Sequence, residues 1–314
     1  MFFVEFMHDF KPVYIERYKK LLGEEWDIFK EAIVTPFPSS FRINTLKGKH
    51  HEILKRIEDK GWKIKQVPFY KDGFYFTEKR DFVLGNTLEH FLGLVYIQET
   101  ASMIPPVVLA AKPGELILDL TAAPGSKTTQ MAAMMENQGG IVANEKELSR
   151  LASLRMNMQR CGVLNAVVTQ MDGRAFKILD MQFDKVLLDA PCTGTGTIMK
   201  SLHTIKTWSV KASQVMSSIQ KQLIQSAVHV LKPGGTLVYS TCSLEPEEDE
   251  ENIDYAIRKM GLKMEKIKLD NFKTREGITS WEGKEFDSEV SKSIRVYPQD
   301  NKTEGFFVAK LVKE

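Results

Sequence analysis

Short apolar runs alternate with amphipathic stretches of helical length from about residue 113 onward. Repeated alternation of strand and helix is typical of a parallel sheet covered by helices, and such sheets bind ligands at the carboxyl ends of their strands. The pattern therefore predicts a doubly wound α/β fold. The expected strands are 116–120, 140–144, 166–170, 183–188 and 236–240, and the expected helices are 126–135, 146–160 and 211–231.

The amino-terminal part also contains strand and helix patterns, over a shorter stretch of the chain. The expected order is a strand at 38–47, a helix at 49–60, and strands at 62–67 and 73–76. This order predicts a small α/β unit with its own sheet. We expect two domains, an amino-terminal domain at 1–95 and a larger domain at 96–314.

Composition indicates an ordinary globular protein, because 43% of the 314 residues are apolar and 27% are charged. The chain has three cysteines without close pairing, which argues against a disulfide framework or a zinc ribbon and favours a reducing compartment. Acids interrupt the first nine residues, and no apolar run is long enough to span a membrane. We expect a cytoplasmic protein without a membrane segment and without a metal.

Charge is unevenly distributed although the net charge is only +2. Residues 1–80 carry 16 basic and 12 acidic residues, so this part has a charge of +4. Basic and aromatic side chains alternate in it, which suits RNA binding by phosphate contact and base stacking, but also an ordinary solvated face. The acidic run 245–251 is expected to begin a helix and to repel phosphate. The basic and aromatic residues in question are Arg42, Lys47, Lys63, Lys65, Phe69, Tyr70 and Lys71.

Two of the cysteines follow predicted strands. Cys192 lies in Asp189-Ala190-Pro191-Cys192, and Cys242 lies in Tyr239-Ser240-Thr241-Cys242-Ser243. Because both strands should end at the same edge of the sheet, the pair suggests covalent chemistry at one ligand, with a pyrimidine ring as the candidate. Cys161, at a helix end, is expected to serve packing.

The loop after the first strand decides which cofactor is expected. Asp119 stands where a phosphate-binding loop needs its first glycine, and of the dinucleotide fingerprint only Gly125 is present. What remains is a loop of small residues and an acid, Glu145, after the second strand, where a carboxylate can bind ribose hydroxyls. This is the layout of an S-adenosylmethionine site.

Further cofactor contacts are expected at neighbouring strand ends. Asp172 is placed to bind the adenine amino group, and Asp189 heads a loop with two glycines that can approach a flat ligand. The expected cofactor-binding residues are Thr121, Ala122, Ala123, Pro124, Gly125, Ser126, Lys127, Glu145, Arg150, Asp172 and Asp189.

Three ordered motifs resemble the Sun-type (NOL/NOP/Sun) RNA (cytosine-5)-methyltransferases, and the resemblance extends over nearly the whole chain. It implies a seven-stranded methyltransferase sheet with a last antiparallel strand near 306–312, and an amino-terminal domain similar to an RNA-recognition domain. It also implies S-adenosylmethionine as cofactor and RNA as partner. The motifs are 119–128, 189–192 and 239–243, with further similarity at 37–47, 98–103, 295–298 and 305–310.

Spacing alone does not decide which cysteine attacks carbon 6 of the cytosine. DNA cytosine-5 methyltransferases use the Pro-Cys cysteine, whereas the RNA family that this chain resembles uses the Thr-Cys one. The resemblance therefore implies that Cys242 is the nucleophile and that Cys192 assists product release. Asp189 is expected to bind ring nitrogen 3, as a protonated acid if burial allows, and Lys127 to lie near the thiolate or the cofactor.

Several alternatives stay open at this point. Transfer RNA is favoured over ribosomal RNA because the chain is compact. A non-catalytic RNA-binding or assembly factor would keep the fold but has no need of both cysteines. A DNA methyltransferase is disfavoured by the amino-terminal unit. We expect the protein to be a monomer.

Overall fold

The computed structural model describes residues 10–201 and 203–314. The first nine residues, on which the expectation about a leader segment depends, lie outside the described residues. Within the described residues, no helix is both long and apolar enough to cross a membrane.

The amino-terminal sheet has four antiparallel strands in the order β2-β3-β1-β4. Helix α3 buries Ile53 and Ile57 in the core of this unit, together with Phe41 and Trp62. The predicted elements are confirmed, but β4 was not predicted because three residues give no recognisable period. The elements are β1 (Ser40–Ile43), α3 (His50–Asp59), β2 (Ile64–Gln66), β3 (Gly73–Phe76), α4 (Leu88–Phe91) and β4 (Val95–Ile97).

Two helices that precede this sheet, α1 (Pro12–Leu22) and α2 (Trp26–Val34), pack elsewhere. Their aromatic side chains join a core that also contains side chains from the second half of the chain. The Tyr14 and Trp208 rings lie 5.0 Å apart edge to face, and the Phe29 and Tyr297 rings lie 6.2 Å apart. The helices therefore connect the amino-terminal residues to the larger sheet.

The expected boundary at residue 95 falls at the start of β4, which pairs with β1 through Ile97. A boundary after Ile97 keeps the four-stranded sheet whole. The division into two domains stays a prediction, and we place its boundary after this strand.

The larger sheet follows the order β11-β14-β15-β9-β8-β5-β6-β7, with β10 paired to β15. Five strands are parallel, from β7 to β9, and β15 is antiparallel to β9. Seven of these strands form the expected methyltransferase sheet, and β10 and β11 are short additions at its edge. The strands are β5 (Leu116–Asp119), β6 (Gly140–Asn144), β7 (Ala166–Thr169), β8 (Phe183–Asp189), β9 (Leu231–Thr241), β10 (Lys263–Glu265), β11 (Arg275–Glu276), β14 (Ile294–Val296) and β15 (Phe306–Val312).

Helices cover both faces of this sheet and form two large cores with it. One core contains Leu223 and Ile224 with Val186, and the other contains Met131 and Ile104 with Ile117. A two-stranded hairpin, β12 (Ser280–Trp281) with β13 (Lys284–Glu285), lies apart from the sheet. The helices are α5 (Ile104–Leu109), α6 (Ser126–Met134), α7 (Leu148–Cys161), α8 (His203–Thr207), α9 (Val210–His229), α10 (Glu250–Met260) and α11 (Pro298–Asn301).

The carboxyl ends of β5, β8 and β9 lie side by side, because Asp119 is paired with Leu187, and Asp189 with Ser240. The loops that follow these strands carry the three motifs singled out in the sequence. The fold thus brings the motif residues to one edge of the sheet, as expected for a parallel doubly wound fold.

Candidate active site

The loop after β5 turns sharply into α6. Gly125 has φ of 101°, in the left-handed region, and a Cβ at this position would come within 3.0 Å of the Leu154 side chain. Glycine satisfies both the turn and the close packing. The Thr121 hydroxyl donates to the backbone carbonyl of Asp189 over 2.8 Å, which fixes this loop against the loop after β8.

Lys127, Asp189 and Ser240 form a hydrogen-bonded group at the strand ends. Lys127 Nζ donates to Asp189 Oδ2 over 2.6 Å, and the Ser240 hydroxyl donates to Asp189 Oδ1 over 2.7 Å. Asp189 is half-buried, and each of its two carboxyl oxygens accepts one of these hydrogen bonds. Its expected contact with ring nitrogen 3 stays a prediction.

The two thiols are neighbours, with Cys192 Sγ and Cys242 Sγ 3.0 Å apart and both cysteines free. The hydrogen bond with Cys242 raises the pKa of the Cys192 thiol well above its ordinary value, and burial and the charge of Glu248 act in the same direction. Cys192 therefore keeps its proton at neutral pH, and either sulfur can be the donor in the contact between them.

Glu248 holds both cysteine loops. Its carboxylate accepts hydrogen bonds from the backbone N–H of Thr193 over 3.0 Å and from the Thr193 hydroxyl, next to Cys192. The same carboxylate accepts from the Ser243 hydroxyl over 3.0 Å, next to Cys242, and from Gln220 Nε2 over 3.0 Å. Burial raises the pKa of Glu248 to about 7. One buried side chain thus connects the two loops.

The acidic run around Glu248 is buried rather than exposed to RNA. Arg17 of α1 donates to Glu245 over 2.8 Å and also to Glu247, and Arg295 of β14 donates to both oxygens of Glu250 over 2.5 Å. The run does end in a helix start, at α10. Two arginines from distant parts of the chain donate hydrogen bonds to three of its six carboxyl groups, and five of the six are buried. The expected repulsion of phosphate stays a prediction.

Gly196 and Gly305 join the cysteine loops to β15. Gly196 N donates to the carbonyl of Cys242, and Gly305 N donates to the carbonyl of Gly196, each over 2.9 Å. A Cβ on Gly196 would lie 2.1 Å from the carbonyl oxygen of Gly305. Only glycine allows this approach of three backbone segments.

A cavity of about 270 Å³ opens at this edge of the sheet. Its wall contains Cys242 and, among the described residues, not Cys192. Glu145, Asp172 and Gly125 also lie outside the wall. The predicted residues that the structure does bring together around the cavity are Thr121, Ala122, Ala123, Pro124, Ser126, Lys127, Arg150, Asp189 and Cys242.

Glu145 and Arg150 have contacts that fit a nucleoside site. Glu145 is buried, its Oε1 accepts from the backbone N–H of Glu147 over 2.8 Å, and its Oε2 accepts no hydrogen bond. Arg150 Nη1 lies 3.3 Å from that oxygen, and Nη2 donates to the carbonyl of Ala123 over 2.6 Å. This oxygen is ion-paired with Arg150 but accepts no hydrogen bond, so it can still accept one from a ribose hydroxyl group.

Asp172 is bound to a neighbour on its own loop. Arg174 donates to both of its carboxylate oxygens, and these hydrogen bonds hold the pKa of Asp172 below its ordinary value. Asp172 Oδ1 also accepts from the backbone N–H of Arg174. Its expected contact with adenine stays a prediction, since it requires a carboxylate that is already engaged.

Six further residues line the cavity and were not predicted as site residues. Buried Glu304 pairs with exposed Lys200, and burial raises the pKa of Glu304 to about 7. Ser102 accepts a hydrogen bond from Lys127 Nζ over 3.0 Å. Sequence similarity at 98–103 and 305–310 included Ser102 and Phe306, but did not indicate roles for them. The six are Ser102, Asp119, Thr197, Lys200, Glu304 and Phe306.

Two of the basic and aromatic residues expected at an RNA surface are buried. Arg42 Nε donates to Gln98 over 2.8 Å, and the guanidinium also bonds Thr129 of α6. Tyr70 packs beside Met103. Of the two interpretations left open from the sequence, RNA contact and a solvated face, neither holds for Arg42 and Tyr70, because both are buried. Arg42 instead joins the amino-terminal sheet to α6.

No cluster of three or more His, Cys, Asp or Glu side chains that could hold a metal ion occurs among residues 10–201 and 203–314. Cys161 is fully buried, as expected.

Comparison with known proteins identifies two family models along the chain. A model described as 16S rRNA methyltransferase RsmB/F matches residues 106–312. A second, described as the N-terminal domain of 16S rRNA methyltransferase RsmF, matches residues 11–100.

Relatives of two kinds are similar to this chain. The tRNA (cytosine(49)-C(5))-methyltransferase of Pyrococcus abyssi is 45% identical over 313 residues, which is 99% of both chains. The ribosomal RNA small subunit methyltransferase F of Vibrio atlanticus is 43% identical over 290 residues. That match covers 91% of this chain but 59% of the relative, so this chain spans less than two thirds of the longer protein.

Among solved structures, the crystal structure of NSun6 from Pyrococcus horikoshii with SFG is similar, with a TM-score of 0.86 and 28% identity. The match covers 98% of this chain and 99% of that chain. Similarity over the full length includes the amino-terminal unit as well as the methyltransferase sheet.

Proposed function

The chain belongs to the RsmB/F family of RNA methyltransferases, and we propose that its substrate is transfer RNA. It is an S-adenosylmethionine-dependent RNA (cytosine-5)-methyltransferase of the Sun type. The relative named as a tRNA methyltransferase matches this chain over 99% of both lengths, whereas the relative named as a ribosomal RNA methyltransferase is much longer. Cytosine 49 is the first position to examine, because the tRNA relative is named for it.

Cys242 is proposed as the nucleophile. The observation that carries this role is that Cys242 borders the cavity while the neighbouring Cys192, among the described residues, does not. Attack of the Cys242 sulfur on carbon 6 of cytosine forms a carbon–sulfur bond and makes carbon 5 electron-rich. Bound S-adenosylmethionine supplies the methyl group that carbon 5 accepts.

Cys192 is proposed to act in product release. After methylation, the bond between carbon 5 and its hydrogen and the bond between carbon 6 and the Cys242 sulfur must both break, and the electron pair of the first forms the double bond between carbons 5 and 6. The Cys192 thiol, 3.0 Å from the Cys242 sulfur, can give its proton to that sulfur as it leaves, and the Cys192 sulfur then takes up the proton from carbon 5, which restores the thiol. The raised pKa of Cys192 keeps this proton available until the release step.

Lys127 and Asp189 are proposed to bind the cytosine ring. Both line the cavity together with Cys242, and their ion pair spans 2.6 Å. A charged Asp189 can accept a hydrogen bond from the exocyclic amino group, and Lys127 can donate one to ring nitrogen 3 or oxygen 2. These contacts stabilise the charge that the ring gains when sulfur adds.

S-adenosylmethionine fits the residues around the loop after β5. Ala122 and Ala123 offer close backbone approach, Glu145 has a free buried oxygen for the ribose, and Arg150 lies beside it. We propose these residues, with Thr121, Pro124, Gly125, Ser126 and Asp172, as the cofactor-binding set.

Ribosomal RNA is the second candidate substrate, because several relatives are named for it. A non-catalytic RNA-binding factor is disfavoured, since Cys242, Cys192, Lys127 and Asp189 form one connected group. Action as a monomer in the cytoplasm stays a prediction.

Bisulfite sequencing of total RNA from cells with and without the gene tests the substrate. We expect loss of 5-methylcytosine at a tRNA position, with ribosomal RNA unchanged. Loss in ribosomal RNA alone would overturn the tRNA proposal. No change in either RNA, combined with no transfer of labelled methyl to total RNA by the purified protein, would overturn the proposed activity.

A further inference from the structure

A groove of about 730 Å³ lies where three parts of the chain meet. One side is formed by α2 and the segment that follows it, the second by the end of β3 and the loop after it, and the third by α11 and the residues after it. Sites of about 300–1,000 Å³ are large enough for a ligand of small-molecule size. The groove is therefore large enough for a nucleotide.

The groove lies next to the catalytic cavity. Thr303 lines the groove, and the following residue, Glu304, lines the cavity. Helix α2 borders the groove and also contacts the turn that contains Thr197 and Lys200, which line the cavity. The groove and the cavity are therefore joined through consecutive residues of the chain, and the groove is a neighbour of the cavity that takes the target base.

The groove presents groups that bind an unpaired nucleotide. The Arg80 guanidinium lies 4.9 Å from the ring centre of buried Phe76 and 5.7 Å from that of Phe82, and the two rings meet edge to face at 73°. Arg80 itself is half-buried, so part of its planar guanidinium is accessible to a base. Bases stack on aromatic rings and on arginine planes without regard to sequence. Lys79 and Lys302 line the groove and are exposed, which makes them available to a phosphate.

The lining also contains two carboxylates, Glu31 and Glu78. With Lys79, Arg80 and Lys302, the groove therefore carries three cationic and two anionic side chains. This balance suits one nucleotide with one phosphate better than a long duplex, which would need a continuous basic surface.

We propose that this groove binds the unpaired nucleotide adjacent to the target cytosine of the RNA substrate. The proposal rests on the RNA methyltransferase function described above. The stacked base lies against the Arg80 guanidinium, and its phosphate lies near Lys79 and Lys302. The groove then holds the RNA strand open while the target base occupies the cavity.

Steady-state kinetics of Arg80→Gln test the proposal, with a tRNA transcript that the wild-type enzyme methylates as substrate. We expect KM for RNA to rise about tenfold, since stacking on a side chain is worth that much or more. We expect kcat to stay within about twofold, because the cavity is untouched, and KM for S-adenosylmethionine to stay unchanged. Lys259→Gln, an exposed charge on α10, is the matched control for loss of one positive charge.

Unchanged KM for RNA in Arg80→Gln would overturn the proposed role of the groove while leaving the methyltransferase function intact. Equal increases in KM for Arg80→Gln and Lys259→Gln would also overturn it, because general charge would then explain the effect. Failure of the wild-type enzyme to methylate any RNA would instead overturn the proposed function itself.

Photo-crosslinking provides a second measurement that does not depend on a variant. The same transcript carries 4-thiouridine on either side of the methylated cytosine, and cross-linked peptides are identified by mass spectrometry. We expect a cross-link to residues 76–82 or 298–303 from one of the two positions. Cross-links confined to other segments would contradict the proposal.

Discussion

The loops of Cys192 and Cys242 place two chemically identical thiols 3.0 Å apart but in different surroundings. Cys242 faces the cavity that also contains Lys127 and Asp189. Cys192 lies behind it, next to Thr193, whose backbone N–H and hydroxyl are both bound by Glu248. The difference in surroundings, rather than any difference in the residues themselves, gives each thiol its proposed task.

The comparison also shows how a second thiol can avoid competing with the first. Its hydrogen bond to Cys242, burial and the charge of Glu248 all raise the pKa of Cys192, so it stays protonated. A protonated thiol is a poor nucleophile but a suitable proton donor. The arrangement assigns attack to one thiol and release to the other, although the two sulfur atoms are only 3.0 Å apart.

Cys242→Ser should have the largest effect. A serine hydroxyl is a much weaker nucleophile than a thiolate at neutral pH, so we expect turnover to fall below detection, by at least about a thousandfold. Methyl transfer to the tRNA substrate measures turnover, and denaturing gel electrophoresis measures covalent capture of RNA, which should also be absent. A stable adduct in this variant would reverse the two roles.

Cys192→Ala should preserve attack and slow release. We expect a protein–RNA adduct that survives denaturing electrophoresis, with turnover reduced about a hundredfold and a single methylation event per enzyme still detectable. Thermal unfolding of the free protein serves as the control for folding. Normal turnover without adduct would show that Cys192 has no part in release.

Glu248→Ala should disturb both loops together. Loss of a buried acceptor leaves the Thr193 N–H and the Ser243 hydroxyl without their partner, and we expect kcat to fall about ten- to hundredfold with KM for S-adenosylmethionine unchanged. Glu248→Gln keeps an acceptor and should recover much of the rate. Glu251→Ala removes a partly exposed acid of the same run and is the matched control. Equal losses for the Glu248→Gln and Glu248→Ala variants would contradict a positioning role.

Glu304→Gln should have the smallest effect, on the pH dependence of stability. Burial raises the pKa of Glu304 from 4.5 to about 7, so between these values the folded state binds more proton than the unfolded state. Its contribution to stability is therefore complete below about pH 4.5 and is lost as the pH rises to about 7. We expect the slope of unfolding free energy over this range to flatten by up to about 1.4 kcal/mol per pH unit.

Urea unfolding at several pH values between 5 and 7 measures that slope. The slope of the wild-type protein also contains the contribution of Glu248, whose pKa is raised to about 7 as well. Comparing the slopes of the Glu304→Gln and Glu248→Gln variants therefore separates the contributions of these two carboxyl groups. A slope identical to that of the wild-type protein in Glu304→Gln would show that this group does not titrate there.

The sequence predicted those parts of the site that follow from strand order. The juxtaposition of Lys127, Asp189 and Cys242 could be expected because parallel strands end at one edge of a sheet. The burial of the acidic run could not, because the partner of Glu245 is Arg17, which lies 228 positions earlier in the chain. Arg42 was misjudged for the same reason, since its partners are Gln98, which directly follows β4, and Thr129 of α6. The local sequence pattern shows that a residue is charged, whereas the burial of that residue depends on partners far away in the chain.

Strand β15 has a consequence for how the enzyme is made. It pairs with β9 through Phe307 and Thr241, directly before Cys242, and Gly305 joins the cysteine loops at Gly196. Residues 305–312 are synthesised after both cysteine loops, so a nascent chain carries both thiols before the strand that fixes them is available. Because domains fold during synthesis from the amino terminus, the reactive sulfur is set in place at a late step. Because Phe307 and Val308 of β15 belong to the two large cores, a chain interrupted before this strand is expected neither to complete the methyltransferase sheet nor to methylate RNA.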